Sequence, residues 1–160
     1  MVFPESEEDL REIIRFARRN RLGLIPRAAG TSLAGQCVGD GLVVDISKHF
    51  TRILSVDEKT RRVRVQPGVV RDELNRFLAP REMLFGPETS TANRAMMGGM
   101  VGNNSCGSNS IVYGSTRDHL VSLKCFLSDG SKVTIEALRS RSSWQNVMAP
   151  KVWKRRFTRE

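Results

Sequence analysis

The sequence is poor in residues that bind metal ions or form disulfide frameworks. Among 160 residues it has three cysteines, Cys37, Cys106 and Cys125, and two histidines, His49 and His119. The cysteines are odd in number and form no C-x-x-C pair, so neither a zinc site nor a set of disulfides is expected. We predict reduced cysteines that are mostly buried as small apolar side chains.

Long apolar runs are also missing. No stretch approaches the roughly 20 residues that an α-helix needs to cross a bilayer. The first residues lead directly into acidic ones rather than into a signal peptide. With 39% hydrophobic and 27% charged residues, the composition is that of a globular protein in water. The sequence therefore predicts a cytoplasmic protein without a membrane span.

The excess of positive charge is concentrated at one end. The formal net charge is +9, and residues 139–160 carry seven Lys/Arg against one acid, which leaves +3 for residues 1–138. A nucleic-acid-binding surface spread over the whole chain is therefore not expected. Nucleic acid or an anionic membrane remains a hypothetical partner of the basic end alone, where Trp144 and Trp153 could stack or lie at an interface.

The most informative stretch is a loop of small residues after the apolar run at residues 22–25. Residues 26–36 are PRAAGTSLAGQ, with glycines at positions 30 and 35. Small side chains leave backbone N–H groups uncovered, and such a nest binds anions, typically phosphate. A turn without a ligand is the alternative, because glycine is common wherever a chain reverses.

Two standard nucleotide motifs do not fit this loop. Gly30 and Gly35 have the spacing of a nucleoside-triphosphate loop, but Gln36 and Cys37 stand where that motif requires Lys and Ser/Thr. The G-x-G-x-x-G fingerprint of a Rossmann fold is missing as well. The loop is therefore interpreted as a site for a diphosphate held mainly by backbone groups, with Arg27 as a charged partner.

The elements around the loop form a βαβ pattern. A strand end near residue 3, a helix from the acidic residues 5–9 to residues 18–20 and a strand at 22–25 put the loop at the carboxyl end of the second strand, where open α/β sheets bind ligands. Further along, strands are predicted at 41–46, 53–56, 62–66, 120–127 and 132–135. Residues 69–78 predict an amphipathic helix with Leu74, Phe77 and Leu78 on one side.

A second region of small residues spans positions 86–110. Its glycines, serines and asparagines permit close approach of a flat polar ligand, while Met96, Met97, Met100 and Val101 offer apolar anchors that a linker lacks. A ligand-facing segment is the favoured interpretation, and a flexible linker is the alternative. His119 lies beside a turn and next to Asp118, where a structural role is favoured over that of a catalytic base.

Short motifs stand in a fixed order over residues 1–136: Phe3-Pro4-x-Ser6-x-Glu8-Asp9, Pro26-Arg27-x-x-Gly30-Thr31-Ser32-Leu33-x-Gly35, Gln66-Pro67-Gly68, Met97-Gly98-Gly99-Met100-Val101-Gly102-Asn103-Asn104, Tyr113-Gly114-x-Thr116-Arg117-Asp118-His119 and Ser128-Asp129-Gly130. In order and spacing they resemble the FAD-binding domain of the FAD-linked oxidases. This is the vanillyl-alcohol-oxidase type, which includes D-lactate dehydrogenase and glycolate oxidase flavin subunits. Ala28-Ala29 replaces the commoner glycine pair and Cys106 the usual Ala or Ser, and neither change excludes FAD.

The resemblance implies an α+β fold with an N-terminal βαβ lobe, a second lobe with a mainly antiparallel sheet, and FAD between them. It puts the FAD pyrophosphate on Arg27, Ala28, Ala29, Gly30, Thr31 and Ser32, with Gly35 and Gln36 nearby. It puts Pro87, Thr89 and Ser90 toward the ribityl chain and flavin ring. The dinucleotide is implied to lie along Gly98, Gly99, Asn103, Asn104 and Gly107.

The resemblance also implies a reaction. Family members transfer a hydride from a 2-hydroxy acid, such as D-lactate or glycolate, to FAD and pass the electrons to another acceptor, for which an iron–sulfur module is one candidate. Their substrate-binding residues come largely from a later cap domain that this sequence does not contain, so no catalytic residue is assigned. We expect a fragment of a larger flavoenzyme that binds FAD weakly or not at all by itself. A non-catalytic nucleotide-binding or basic interaction module is the alternative.

Three segments are predicted from these patterns. Residues 1–56 form the N-terminal lobe, residues 57–138 form an incomplete second lobe, and residues 139–160 form a basic tail. The tail has little periodicity. It is interpreted either as a disordered or interacting basic arm or as the product of a reading-frame shift near Arg139, because a shifted frame permits helix-forming residues there.

Overall fold

A computed structural model describes residues 1–136 and the backbone of residues 156–159. The chain divides into two compact units, Met1–His119 and Leu120–Glu160. Apart from a strand at Arg156–Arg159, the tail at residues 139–160 lies outside the described residues. The frame-shift hypothesis and the lobe boundary after residue 56 therefore stay predictions.

Helix α1, Glu7–Arg19, begins at a reciprocal cap that its sequence encodes. The Ser6 hydroxyl accepts a hydrogen bond from the Asp9 N–H at 3.1 Å, and the Asp9 carboxylate accepts one from the Ser6 N–H at 2.9 Å. The backbone N–H groups of Glu5 and Ser6 also lower the pKa of Asp9. Acidic residues in the first turn and arginines in the last turn interact favourably with the helix dipole. The predicted helix is confirmed.

The first two strands, which both follow α1 in the chain, are parallel. Strand β1, Leu24–Arg27, pairs with β2, Leu42–Asp45, in a register that sets Leu24 opposite Leu42 and Arg27 opposite Asp45. Val2 bridges to Val44 in the parallel sense from the other side of β2. The predicted helix and second strand are confirmed, whereas the predicted strand end near residue 3 is a single bridge at Val2. The glycine loop begins where β1 ends.

The buried core of the first unit packs against a hairpin and includes two residues of a short helix. Strands β3, Ile53–Asp57, and β4, Arg62–Val65, are antiparallel, and helix α2 follows at Arg71–Leu78. The buried cluster contains Val69, Leu74, Leu78, Met83, Ala95, Met97 and Met100. Apolar residues of the hairpin, including Val56 and Val63, pack against it.

One residue of the predicted α2 face is placed differently. Leu74 and Leu78 are buried, but Phe77 is 38% exposed. Leu74 and Leu78 are four residues apart and share one side of the helix, whereas Phe77 lies at the edge of that side. The Arg81 guanidinium covers the Phe77 ring at 4.5 Å, so the ring packs against a surface cation instead of the core.

The second small-residue region is partly helical. Helix α3 covers Met97–Asn103 and helix α4 covers Ser110–Tyr113. Short 3₁₀ turns lie at Ala79–Arg81 and Thr116–His119. Of the four predicted apolar anchors, Met97 and Met100 are buried, whereas Met96 and Val101 are half-buried.

The described part of the second unit is a sheet. Strand β5, Ser122–Phe126, and strand β6, Lys132–Glu136, form the predicted antiparallel hairpin. Strand β7, Arg156–Arg159, pairs antiparallel with β6 in a three-stranded sheet of order β5-β6-β7. Within the described residues, no helix is both long enough and apolar enough to cross a membrane.

The prediction that the cysteines are mostly buried is wrong. Cys106 is exposed, and Cys37 and Cys125 are half-buried. Cys37 follows the glycine loop and Cys106 follows α3, so both stand where the backbone leaves the core. Partial burial raises the pKa of the Cys125 thiol.

Candidate functional site

The loop after β1 has the geometry of an anion nest. Gly30 and Gly35 have positive φ angles of 67° and 68°, a conformation that side chains disfavour. Within the described part of the chain, no protein group accepts a hydrogen bond from the backbone N–H groups of residues 28–33. A run of unpaired N–H donors at the end of a strand is suited to bind phosphate oxygens.

Arg27 and Asp45 form an ion pair beside this loop. Their strands are parallel and in register, so the two side chains start from neighbouring positions. Arg27 Nε lies 3.4 Å from Asp45 Oδ2. A Cβ atom added to Gly30 would lie 3.0 Å from Arg27 Nε and Nη2, so the guanidinium packs against the glycine. Arg27 was expected from the sequence, whereas Asp45 was not.

The glycine loop meets α3. The Gln36 side-chain amide donates a hydrogen bond to Asn103 Oδ1 at 3.0 Å. A Cβ atom on Gly99 would lie in ordinary contact with the Ala28 Cβ, at 3.4 Å. The structure therefore brings together two segments that are more than sixty residues apart in the sequence, as the Gln36–Asn103 bond spans 67 positions.

Hydroxyl groups line the adjoining surface. The Thr31 hydroxyl lies 3.5 Å from that of Thr91, and the Thr91 hydroxyl lies 3.2 Å from that of Thr89. Ser32 uses its hydroxyl to accept a hydrogen bond from the Ala34 N–H. The loop and the segment around residue 90 are thus in polar contact.

A pocket of about 490 Å³ lies beyond these hydroxyls. It is lined by Glu88, Thr89, Ser90, Cys106, Gly107 and Ser108. The Glu88 carboxylate accepts hydrogen bonds from the Ser108 hydroxyl at 3.0 Å and from the Asn109 amide at 2.9 Å. Thr89, Ser90 and Gly107 were expected at a site from the sequence. Glu88 links two sides of the pocket through its hydrogen bonds.

Several expected site residues already have structural contacts. A Cβ atom on Gly98 would lie 2.5 Å from the Pro67 Cβ, and one on Gly107 would lie 2.5 Å from the Glu88 carbonyl oxygen. Asn104 ends α3 with a positive φ, and its side chain accepts a hydrogen bond from the Arg117 N–H. Pro87 is fully buried, and its carbonyl accepts a hydrogen bond from Arg71 Nε. Packing alone therefore explains these residue types.

The neighbourhood of His119 is structural in character. His119 Nε2 lies 2.6 Å from the Tyr113 carbonyl oxygen, and its ring meets the Phe85 ring edge-on at 5.6 Å. The Asp118 carboxylate accepts hydrogen bonds from the Ser115 N–H and hydroxyl, which lower the pKa of Asp118. Across the described residues, no group of three or more His, Cys, Asp or Glu side chains could hold a metal ion.

Comparison with known proteins identifies the class. A family model described as FAD binding domain matches residues 1–136. The chain is 38% identical over 152 residues to D-2-hydroxyglutarate dehydrogenase of Haemophilus influenzae. The aligned region covers 93% of this chain and 15% of that protein. It is 30% identical over 131 residues to glycolate oxidase subunit GlcD of Bacillus subtilis, covering 81% of this chain and 28% of that protein.

A solved structure agrees on the fold. 6-Hydroxy-D-nicotine oxidase from Arthrobacter nicotinovorans superimposes with a TM-score of 0.71 at 20% identity, over 82% of this chain and 28% of that chain. The class is thus an FAD-binding domain with an α+β fold of the vanillyl-alcohol-oxidase type. The chain belongs to the FAD binding domain family, and FAD is its cofactor class. It spans about 15% of the length of the D-2-hydroxyglutarate dehydrogenase that it matches.

Proposed function

We propose that this chain is the FAD-binding part of an oxidoreductase that oxidises a 2-hydroxy acid, and that residues 28–33 hold the FAD pyrophosphate. The observation that carries the proposal is the run of unpaired N–H groups at those residues, next to the Arg27 guanidinium. Backbone donors and one arginine complement a diphosphate in charge and in hydrogen-bonding capacity. The residues present therefore fit the group that the family binds.

The remaining residues are assigned by their position. Gly35 leaves the loop open, since nothing lies within 4 Å of an added Cβ. Gln36 and Asn103 border the loop and orient the ligand through their amides, and Gly99 keeps α3 close to Ala28. Thr89 and Ser90 line the pocket, where their hydroxyls bind the ribityl chain or the edge of the ring. Pro87, Gly98, Asn104 and Gly107 support this wall through their packing.

The substrate class follows from the names of the relatives. D-2-Hydroxyglutarate, glycolate and D-lactate, which name the matched enzymes, are all 2-hydroxy acids. Bound FAD would supply the electron-accepting centre for the hydride from the carbon that bears the hydroxyl. The electron acceptor, an iron–sulfur partner and a cytoplasmic location belong to the proposal only. No side chain of the described residues is assigned to proton transfer.

Binding is tested by titrating the full chain with FAD and following the quenching of flavin fluorescence. We expect weak but saturable binding, since the chain is a fragment, and we expect ADP to compete with it, whereas riboflavin, which lacks phosphate, does not. A chain that binds RNA and not FAD contradicts the proposal and favours the basic interaction module. A chain that binds ADP and FAD equally well favours a nucleotide-binding module without a flavin site.

The substrate class is tested on the complete open reading frame. Anaerobic bleaching of the flavin by D-2-hydroxyglutarate, D-lactate or glycolate is the expected result, with the L-enantiomers of the two chiral acids as controls. If the extended frame encodes no further flavoenzyme motifs, or if none of the acids bleaches the flavin, the oxidoreductase part of the proposal fails while the FAD-binding part stands.

A further inference from the structure

Asp45 lies next to Arg27, beside the candidate anion site. It is the last residue of β2, and the parallel register puts it next to Arg27, the last residue of β1. It is also the one buried acidic residue among the described residues, at 6% exposure. A buried carboxylate costs free energy unless it is paired and hydrogen-bonded. Its partners therefore indicate its function.

Both carboxylate oxygens of Asp45 are engaged. Oδ1 accepts a hydrogen bond from the Ser47 N–H at 2.9 Å, which fixes the carboxylate to the turn after β2. Oδ2 is left for Arg27 Nε at 3.4 Å. The Arg27 side chain has four rotatable bonds, and holding its guanidinium in one place costs conformational entropy. An anchored carboxylate supplies that restraint before any ligand arrives.

Arg27 divides into a buried and an open part. Its Nε is buried and makes no hydrogen bond within the described residues, although 38% of the whole side chain is accessible. The guanidinium packs against Gly30, in the middle of the run of unpaired N–H groups. Asp45 thus contacts the Nε side of the guanidinium. The opposite side remains available to an anion that the loop binds.

We propose that Asp45 is a positioning residue for Arg27 in anion binding at residues 28–33, an inference that rests on the proposed function. Its negative charge opposes a bound anion, but the adjacent Arg27 guanidinium largely neutralises that charge. Loss of its restraint removes a direct charge-assisted contact between Arg27 and the anion, and such contacts are the strong ones. The second effect is the larger, so removal of the carboxylate charge weakens binding.

The test is a double-mutant cycle on the full chain. Asp45→Asn keeps an oxygen for the Ser47 N–H and is expected to weaken FAD binding about tenfold, which corresponds to one charge-assisted contact. Arg27→Ala is expected to weaken it at least as much, and Asp45→Asn should add little in the Arg27→Ala background. Asp57→Asn is the matched control, because Asp57 also accepts two hydrogen bonds, from Thr60, at a strand end.

A spectroscopic readout separates positioning from general destabilisation. The Arg27 Nε–H resonance, assigned with Arg27→Lys, should shift when inorganic pyrophosphate is added to the wild-type chain and should be broadened and insensitive in Asp45→Asn. Urea unfolding of each variant records any loss of stability. Affinity lost in proportion to stability, with an unchanged Nε–H response, overturns the positioning role.

The outcomes also separate this inference from the proposed function. If the wild type binds FAD and Asp45→Asn binds it equally well, the inference fails and the proposed function stands. If the wild type binds pyrophosphate but not FAD, the proposed function fails, and the same cycle with pyrophosphate decides the inference. If it binds neither, both fail.

Discussion

The two glycine-containing segments of the first unit use their glycines in opposite ways. In the loop at residues 28–36, Gly35 faces open space and Gly30 touches only the end of the Arg27 side chain. In the segment at residues 97–107, Gly98 and Gly107 face rigid neighbours, with atoms 2.5 Å from an added Cβ. The first segment uses glycine to turn the backbone and expose its N–H groups. The second uses glycine to let two parts of the chain pack closely.

The same distinction holds within one helix. Gly98 and Gly102 both lie in α3, but only Gly98 has a neighbour within 4 Å of an added Cβ. Composition therefore does not reveal which glycines are required. The structure does, and substitutions can test it.

The largest effect is expected for Gly98→Ala. The added methyl would overlap the Pro67 Cβ at 2.5 Å, and overpacking of this kind costs about 1–3 kcal/mol of unfolding free energy. Gly102→Ala meets nothing and should stabilise the helix by roughly 0.5 kcal/mol. Urea unfolding of both variants measures the difference. Equal stabilities would show that α3 and Pro67 are not in close contact.

A smaller loss of unfolding free energy is expected for alanine substitutions in the loop at residues 28–36. Gly30→Ala and Gly35→Ala both force a side chain into a positive φ, which costs about 1–2 kcal/mol. Only the methyl at residue 30 also displaces the Arg27 guanidinium. Gly30→Ala should therefore weaken FAD binding about tenfold more than Gly35→Ala, since it disturbs one charge-assisted contact in addition. A fluorescence titration of the two variants checks this, and equal affinities would contradict it.

The turn that contains Asp118 is expected to lose stability in acid. The Ser115 N–H and hydroxyl hold the pKa of Asp118 below its ordinary value of 3.8, so the folded state favours the ionised form. This contribution to stability is present above that ordinary value and is lost as the pH falls through the lowered pKa. The stability of Asp118→Asn should therefore fall less steeply than that of the wild type below about pH 4. Parallel curves in urea unfolding at several pH values would exclude this role.

The smallest effect is expected at the contact between the two segments. Gln36→Ala removes an exposed, neutral hydrogen bond to Asn103, and such bonds contribute about 0.5 kcal/mol or less when both groups can turn to water. Asn103→Ala also removes the hydrogen bond from Asn103 Nδ2 to Ser105 Oγ at 3.4 Å, so it should cost slightly more, and the double variant should cost no more than Asn103→Ala. An additive double variant, measured by urea unfolding, would show that the side chains act independently.

Local signals in the sequence were sufficient to predict helix α1 and strand β1 near the N-terminus. The acidic first turn predicted the start of α1, and the apolar run before Pro26 predicted β1 with the loop at its end. These signals work because caps and strand ends depend on neighbours in the sequence. The order of the short motifs was sufficient for the family, because spacing over 136 residues is much more specific than any single motif.

Contacts that depend on tertiary packing could not be predicted in the same way. The helical periodicity predicted that Phe77 belongs to the core. Periodicity indicates which side of a helix is apolar but not how far the neighbouring elements extend over that side. Residues 97–103 form a helix despite their glycines, because buried Met97 and Met100 outweigh weak helix propensity. Arg27 and Asp45 are 18 positions apart, and only the parallel register makes them neighbours.

The buried cluster is also compact along the sequence. Its members lie between Val69 and Met100, and the hairpin that covers them begins at Ile53. Short sequence separations lower the entropy cost of closing contacts, so this cluster can assemble while the chain is still being synthesised. It is therefore a candidate folding nucleus. Amide hydrogen exchange should be slowest in α2 and β4 and fast at residues 28–33, whose N–H groups have no protein acceptor among the described residues.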